Sequence, residues 1–386
     1  MQNKQKSVLI VGGGISGLTL AAALGQRGVA CDVVEIKEES KVLGVGIIQP
    51  GNSLRALQAI GVYEECLAAG FPTDHYRYYE ADGTPIASLK LLRIADPDRP
   101  AINTLPRPAL NDILTRAAER AGATIRLGCT TTSVTDDGDG VDVVFSDGTA
   151  KRYDMVVGAD GIRSKTRRML FGTQFEPQFT GHGVWRFTTK RPPELTYHAM
   201  HLGVGIKAGL IPLTEETMYL LLVTNAPDDS RVPDDRLAST LYEELAPFGG
   251  MVAQVRESVL HSDEIIYVPI EEVILDDNWS KGNVVLIGDA AHASSPHVAQ
   301  GAAMGIEDAV VLAEMFAEGG NTADMLKAFA KRRYARCKFV QDVSRAVGND
   351  GNLTDPEACR LRNDRMREDF AGAKPRPHEL KLAEPI

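Results

Sequence analysis

The sequence predicts an α/β fold, a parallel-sheet unit whose chain path is interrupted by an antiparallel, β-rich insertion. Three observations predict it. Residues 7–37 carry an apolar strand, a glycine-rich turn, a helix and a second strand. Residues 74–95 and 180–270 change character, with aromatic and aliphatic strand formers set around turn dipeptides. Residues 284–318 then return to strand, loop and long helix. A chain of 386 residues also exceeds the roughly 250–300 residues that one hydrophobic core sustains, so two cores are expected.

The elements follow in order. Ser7–Val11 reads as an apolar strand, Ile15–Arg27 has helix composition, and Gly28 supplies the stop. Cys31–Glu35 is the next strand, and residues 53–69 have helical spacing. Tyr76, Tyr78 and Tyr79 precede Asp82-Gly83, with Ile86, Leu89 and Leu91 after it, which is a hairpin signal. Residues 107–121 are helical, with Leu110, Ile113, Leu114 and Ala117 on one face. Two strands joined at Asp147-Gly148 follow, the second ending in Met155–Asp160. Met218–Val223 and Ile265–Pro269 are strands with a helix, Asp235–Phe248, between them. Val284–Ile287 is the last strand, and a helix runs from about Gly301 to Glu318. Residues 350–386 are polar and mixed in charge, and read as a solvated helix plus tail.

Composition excludes several classes. With 44% hydrophobic and 24% charged residues the chain is ordinary globular material. A net charge of -10 and a pI near 5.4 argue against nucleic acid, which needs a clustered basic face. Small molecules are the expected partners. Cys31, Cys66, Cys129, Cys337 and Cys359 are odd in number and include no CxxC pair. Neither a disulfide framework nor a zinc site is expected, and the cytoplasm is the expected setting. The eight histidines are scattered and form no HExxH, so no metal is expected. No apolar run approaches a signal-peptide core or a membrane span.

Gly12-Gly13-Gly14-Ile15-Ser16-Gly17 fits GxGxxG between a strand and a helix. Gly12 permits the tight turn, Gly14 lets a pyrophosphate approach the backbone, and Gly17 lets the helix pack on the strand. Ile15 and Ser16 open the helix whose free N–H groups would meet the phosphates. Glu35 closes the second strand, placed to accept hydrogen bonds from an adenosine ribose. The unit is thus Rossmann-like, and the motif leaves FAD and a nicotinamide dinucleotide both open.

Two further motifs narrow the choice. One is Gly158-Ala159-Asp160-Gly161-Ile162-Arg163-Ser164. The other is Gly288-Asp289-Ala290-Ala291-His292, followed by Pro296-His297-Val298-Ala299-Gln300-Gly301-Ala302. In this order and spacing the set resembles the class A flavoprotein monooxygenases, the para-hydroxybenzoate hydroxylase-like family, over roughly residues 7–345. The resemblance implies that family's fold: residues 1–73, 101–175 and 271–350 as a discontinuous FAD-binding domain, 74–100 and 176–270 as the substrate domain, and 351–386 as a C-terminal helix and tail. It implies that Asp289 bonds the ribityl hydroxyls of FAD and that Gly301 and Ala302 present N–H groups to the flavin pyrimidine edge. Asp160 and Gly161 would lie near the pyrophosphate, and Arg107 would reach the phosphate and ribityl region. Ile48 and Thr131 fall at further FAD contacts, and Pro296 begins the loop beside the flavin ring. Many members carry Gly-Gln-Gly where this chain has Ala299-Gln300-Gly301. His292 is expected to be structural.

On the substrate side the resemblance places Arg186, Lys207 and Tyr219 in the pocket and His297 beside the flavin ring, against the alternative that they are solvent-facing strand residues or, for His297, a helix cap. It implies reduction of FAD by NADH or NADPH, addition of O2 to give a C4a-hydroperoxide, and transfer of OH to an electron-rich phenolic or heteroaromatic ring. His297 or Tyr219 would take or relay the ring proton. With no second GxGxxG, the coenzyme would visit and leave. A monomer or homodimer is expected. Two other readings are an epoxidase, oxidase or reductase on the same scaffold and a flavin-binding redox sensor without turnover.

Overall fold

The computed structural model describes residues 6–39, 45–262, 264–372 and 375–386. Ser7–Val11 (β1), Ile15–Gly25 (α1) and Ala30–Glu35 (β2) form the βαβ opening. Gly46–Pro50 (β3), Gly51–Ala59 (α2) and Tyr63–Ala68 (α3) follow. The single helix expected over 53–69 is two, because Gly61 takes the left-handed backbone at φ 74° and turns the chain between them. His75–Glu80 (β4) and Pro85–Lys90 (β5) are the hairpin, and Ile102–Pro106 (β6) pairs antiparallel with β3. Arg107–Arg120 (α4) leads to Thr124–Leu127 (β7).

Thr131–Asp136 (β8), Val141–Phe145 (β9) and Ala150–Tyr153 (β10) make a small antiparallel sheet. The strand expected to run on to Asp160 breaks at Asp154, and Met155–Gly158 (β11) joins a different sheet, parallel to β1. Lys165–Phe171 (α5) follows, then Gln178–Lys190 (β12), His198–Leu202 (β13), Ile206–Pro212 (β14) and Thr217–Asn225 (β15). Leu237–Glu244 (α6) and Gly250–Arg256 (α7) precede Ile266–Glu272 (β16), Ser280–Lys281 (β17) and Val284–Leu286 (β18). Asp289–His292 (α8), Gly301–Glu318 (α9), Thr322–Gly351 (α10), Pro356–Asp369 (α11) and Pro377–Ala383 (α12) complete the chain.

Six strands in the order β17-β18-β11-β1-β2-β7 form the first sheet, parallel except at β17. β1 lies between β2 and β11, so the chain leaves it in both directions and opens a crevice beyond its carboxyl end. Helix α1 is buried from Gly17 to Leu24. Its run Ala21-Ala22-Ala23 keeps the helix thin enough to sit beneath α4 and α9.

The second sheet has seven strands in the order β16-β12-β15-β14-β13-β4-β5. Alternation sorts its two faces. Leu220 and Leu222 of β15 and Leu210 of β14 point outward and pack with Leu241 of α6, Leu245 just beyond it and Val252 of α7. Burying each such side chain contributes about 1.5–3 kcal/mol. Tyr219, Leu221, Lys207 and Ile211 point the other way, toward the first sheet's crevice.

The C-terminal stretch is solvated on one side only, and α11 and α12 each bury a few residues against the fold. Cys359, Arg362 and Asn363 of α11 are buried, as are Glu379 and Leu382 of α12. All five cysteines are buried free thiols. No helix among the described residues is long and apolar enough to cross a membrane.

Candidate active site

A cleft of about 1010 Å³ opens at the crevice between the two sheets, at the upper end of the size range of ligand sites. Gly14, Ile15 and Ser16 line it from the amino end of α1, and a Cβ added at Gly14 would meet nothing within 4 Å. That open backbone is where a phosphate can approach. Gly12 and Gly17 stand behind it: Gly12 has φ 115°, and a Cβ at Gly17 would lie 2.0 Å from the Gly12 carbonyl. Glu35 Oε2 accepts from Gly13 N at 2.8 Å, fixing the turn while its carboxylate keeps further lone pairs.

Asp289 lies on the cleft wall, exposed. The N-cap of α8 is Gly288, with no side-chain cap bond, so capping does not account for Asp289. Gly301 and Ala302 open α9 on the same wall, with first-turn N–H groups that α9 itself leaves unpaired. Arg107, Ile48, Gly161 and Pro296 also line the cleft. Phosphate-ready N–H groups, a carboxylate for sugar hydroxyls and a cation at Arg107 together fit FAD.

Asp160 lies between Ala159 and Gly161, which both line the cleft, with its carboxylate turned toward α5. It accepts from Ser164 Oγ at 2.5 Å and from Thr166 N at 2.9 Å, tying down the start of α5. Thr131 opens β8 and is buried opposite Phe145 in the small sheet, with its Oγ1 unpartnered.

The four substrate-side residues divide between two cavities. Arg186 and Tyr219 line the cleft. Burial pulls the Arg186 guanidinium below its ordinary value, with Tyr219 opposing and Arg107 adding to the fall. Burial pushes the Tyr219 phenol up to about 12, so it stays protonated. Lys207 and His297 instead line an inner cavity on the far side of Ile48, Leu221, Pro296 and Ala299, four residues that belong to both walls. Lys207 is 4% exposed, and its Nζ donates to the Val347 carbonyl at 3.3 Å. Burial, with Arg362 nearby, brings Lys207 down to about 7.

His297 is neither a cap nor a base poised at neutral pH. The N-cap of α9 is Gln300. Burial, then Lys207 and His182, push the imidazole down to about 2, which leaves it neutral with Nδ1 buried and unpartnered. Its ring abuts Gly348 of α10, where an added Cβ would meet Nε2 at 2.5 Å.

A buried ionic network joins α8, α9 and α10. His292 Nε2 pairs with Asp308 Oδ2 at 2.6 Å, Arg333 bridges Asp308 and Glu307 at 2.7 and 2.9 Å, and Arg336 adds 2.8 Å to Glu307. His292 is structural, as expected. His292, Asp308 and Cys337 cluster closely enough to suggest a cation site, yet Arg333 already supplies the cation. Asn52 joins Glu307 to Gln300 through its amide, at 3.0 Å each. Ala299 takes the left-handed conformation at φ 57° and ψ 31°, a backbone that favours glycine.

Sequence reasoning missed α10 and the tail's role. Asn321, whose side chain accepts from Asp324 N, is an N-cap signal after Gly319-Gly320, and Asp355-Pro356 is another. It also missed His198, which is fully buried and lines the inner cavity.

Residues 5–344 match the family described as FAD binding domain. The YetM protein of Bacillus subtilis (strain 168) is 32% identical over 344 residues, covering 89% of this chain and 93% of that protein. The 2-heptyl-3-hydroxy-4(1H)-quinolone synthase of Pseudomonas aeruginosa (strain UCBPP-PA14) is 31% identical over 368 residues, covering 94% of each. Among solved structures, Klebsiella pneumoniae HpxO, complexed with FAD and uric acid, has a TM-score of 0.86 at 22% identity, over 98% of this chain and 97% of that one, a likeness of fold.

Proposed function

This chain belongs to the class A flavoprotein monooxygenases, FAD-dependent hydroxylases of aromatic rings, and from that premise we propose that it hydroxylates an electron-rich phenolic or heteroaromatic ring using NADH or NADPH and O2. The observation that carries this reading is the shared wall. Ile48, Leu221, Pro296 and Ala299 form the wall between the cleft and a small inner cavity, so a ring seated in the cleft against this wall would lie beside the flavin. Two of the relatives are named for, or bound to, fused heteroaromatic rings, a quinolone and uric acid.

When bound, FAD would supply two-electron reduction by the coenzyme and activation of O2 for transfer of OH to the ring. The residues of the chain bind, orient and keep water out. Gly12, Gly14, Gly17 and Glu35 would hold the adenosine side, Asp289 the ribityl hydroxyls, and Gly301 and Ala302 the pyrimidine edge. The amino end of α9 favours negative charge there by roughly 1 kcal/mol. Tyr219, protonated across the ordinary pH range, is a hydrogen-bond donor at the cleft, and Arg186 beside it is a fixed cation.

The test is coenzyme oxidation in air with phenols, hydroxypyridines and quinolones, scored by stimulation and by product mass. A ring compound that both stimulates oxidation and gains one oxygen supports the proposal. Coenzyme oxidation that no ring compound stimulates, or the absence of any oxygenated product, rejects it.

A further inference from the structure

The end of the chain is held through its carbonyls. Arg55 of α2 donates to Ala383 O and Glu384 O, each at 3.0 Å, Arg336 of α10 to Leu382 O at 2.8 Å, and Arg332 to Ile386 O. These acceptors include carbonyls that the last turn of α12 leaves unpaired. Glu379 and Leu382 of α12 are buried, and the whole helix lies beyond the 5–344 family match.

Arg336 serves the tail and the interior at once. The same Nη2 that reaches Leu382 O donates to Glu307 Oε1 at 2.9 Å, and Nε donates to Glu307 Oε2 at 2.8 Å. Glu307 Oε1 also accepts from Asn52 Nδ2 at 3.0 Å, and that amide donates to Gln300 Oε1 at 3.0 Å. Glu307 is fully buried, so its charge is tolerable only while these donors stay in place. Gln300 is the N-cap of α9, next to Gly301 and Ala302 on the cleft wall. Four linked contacts therefore run from a tail carbonyl to the start of α9, through Arg336, Glu307 and Asn52. A planar guanidinium fork bridges carboxylate and carbonyl in one fixed geometry, which a lysine's point charge does not reproduce. Among the described residues no part of α12 lines the cleft itself.

We propose that α12 is a strap whose seating, relayed by Arg336 as a positioning residue, sets the first turn of α9 against the cofactor. This rests on the reading that places FAD in the cleft. With the strap seated, Arg336 is held between Leu382 O and Glu307, and Asn52 keeps Gln300 in register. With the strap released, Arg336 loses its outer acceptor, Glu307 loses a fixed donor, and the turn carrying Gly301 and Ala302 loosens. A segment outside the family match thus controls how firmly the cleft-facing N–H groups are aimed, without entering the cleft.

The test releases the strap through two independent contacts, Arg55→Gln and Leu382→Ser, in the full chain. Amide hydrogen exchange is followed on the flavin-free protein, where faster exchange in residues 378–386 reports release. Met304 N donates to Gln300 O at 2.9 Å and reports the first turn of α9. Both variants should speed exchange at Met304 by about tenfold or more, as local opening becomes easier. Arg336→Lys should do the same while residues 378–386 stay protected, because Arg55 and Arg332 still hold the tail. In the Asn52→Ala background, where the relay is already cut, release should add less than about twofold at Met304. In the FAD-loaded protein each release variant should shift the absorption band of the bound flavin. Release that leaves Met304 unchanged, a response to Arg55→Gln alone, or a full response in the Asn52→Ala background overturns the strap. A protein that shows the exchange pattern but holds no FAD keeps the relay and sinks the cofactor reading instead.

Discussion

Asn52 and Gln300 face each other amide to amide: Asn52 Nδ2 donates to Gln300 Oε1 at 3.0 Å, and Gln300 Nε2 donates back to Asn52 Oδ1 at 3.1 Å. Both side chains are buried, and Asn52 Nδ2 also reaches Glu307 Oε1 at 3.0 Å. Burial alone would raise the Glu307 carboxyl, but Arg333 and Arg336 outweigh it and hold it below its ordinary value. The loop 296–300 is thereby tied to α2, α9 and α10 at once. Asn52→Ala leaves buried groups unpaired and should cost about 1–3 kcal/mol in denaturant unfolding. Asn52→Asp should cost more, because it sets a second carboxylate beside Glu307. Unchanged midpoints in both variants would show that water replaces the amide at no cost.

Asp289 is exposed and caps nothing, so its removal should be felt by the cofactor and not by the fold. The purified protein should be yellow, and the flavin released on denaturation should chromatograph as FAD. Asp289→Ala should retain less FAD while the flavin-free protein unfolds at the wild-type midpoint. Full flavin occupancy in the variant would remove Asp289 from the site.

Much of this cleft was legible because its motifs are backbone demands. Gly12 must turn and Gly17 must let a carbonyl pass at 2.0 Å from any Cβ, and only glycine does either. The faces of the antiparallel sheet were legible in part, since alternation sorts them once a strand is found. Lys207 illustrates the limit: alternation puts it on the inner face, but its partner on α10 comes from 140 residues away. The buried side of the tail was missed for a related reason. Polar composition suggested solvent, whereas Arg362 and Arg376 spend their charge on carbonyls and a carboxylate inside the fold. Local sequence does not reveal such partners.

Lys207 gives a pH signature. Its folded value of about 7 lies below the ordinary 10.5, so between these values the unfolded chain binds the extra proton. Stability then rises with pH through that window and is lost as pH falls toward 7. Lys207→Met should remove this dependence. The variant should gain most over wild type at pH 6, by an amount on the order of a few kcal/mol, and the gain should shrink toward pH 10. Parallel stability curves from pH 6 to 10 would mean that Lys207 is not desolvated.

His297 lines both the inner cavity and an outer cavity of about 550 Å³, so its ring is a partition between them. Since it stays neutral, His297→Gln should leave the shape of the pH–rate profile between pH 5 and 9 unchanged. His297→Ala should instead open a path for water and lower the product formed per coenzyme consumed, with flavin reduction still fast. An inflection near neutrality that disappears in His297→Gln would restore the residue as a base.

In the proposed reaction one oxygen atom of O2 enters an aromatic ring held against the flavin. This is tested most directly by turnover under isotopically labelled O2 in ordinary water, with a substrate that stimulates coenzyme oxidation. One labelled atom is expected in each product molecule, with one coenzyme oxidised per product when coupling is complete. Product oxygen drawn from water, or coenzyme oxidation that yields hydrogen peroxide and leaves the ring unchanged, would contradict it.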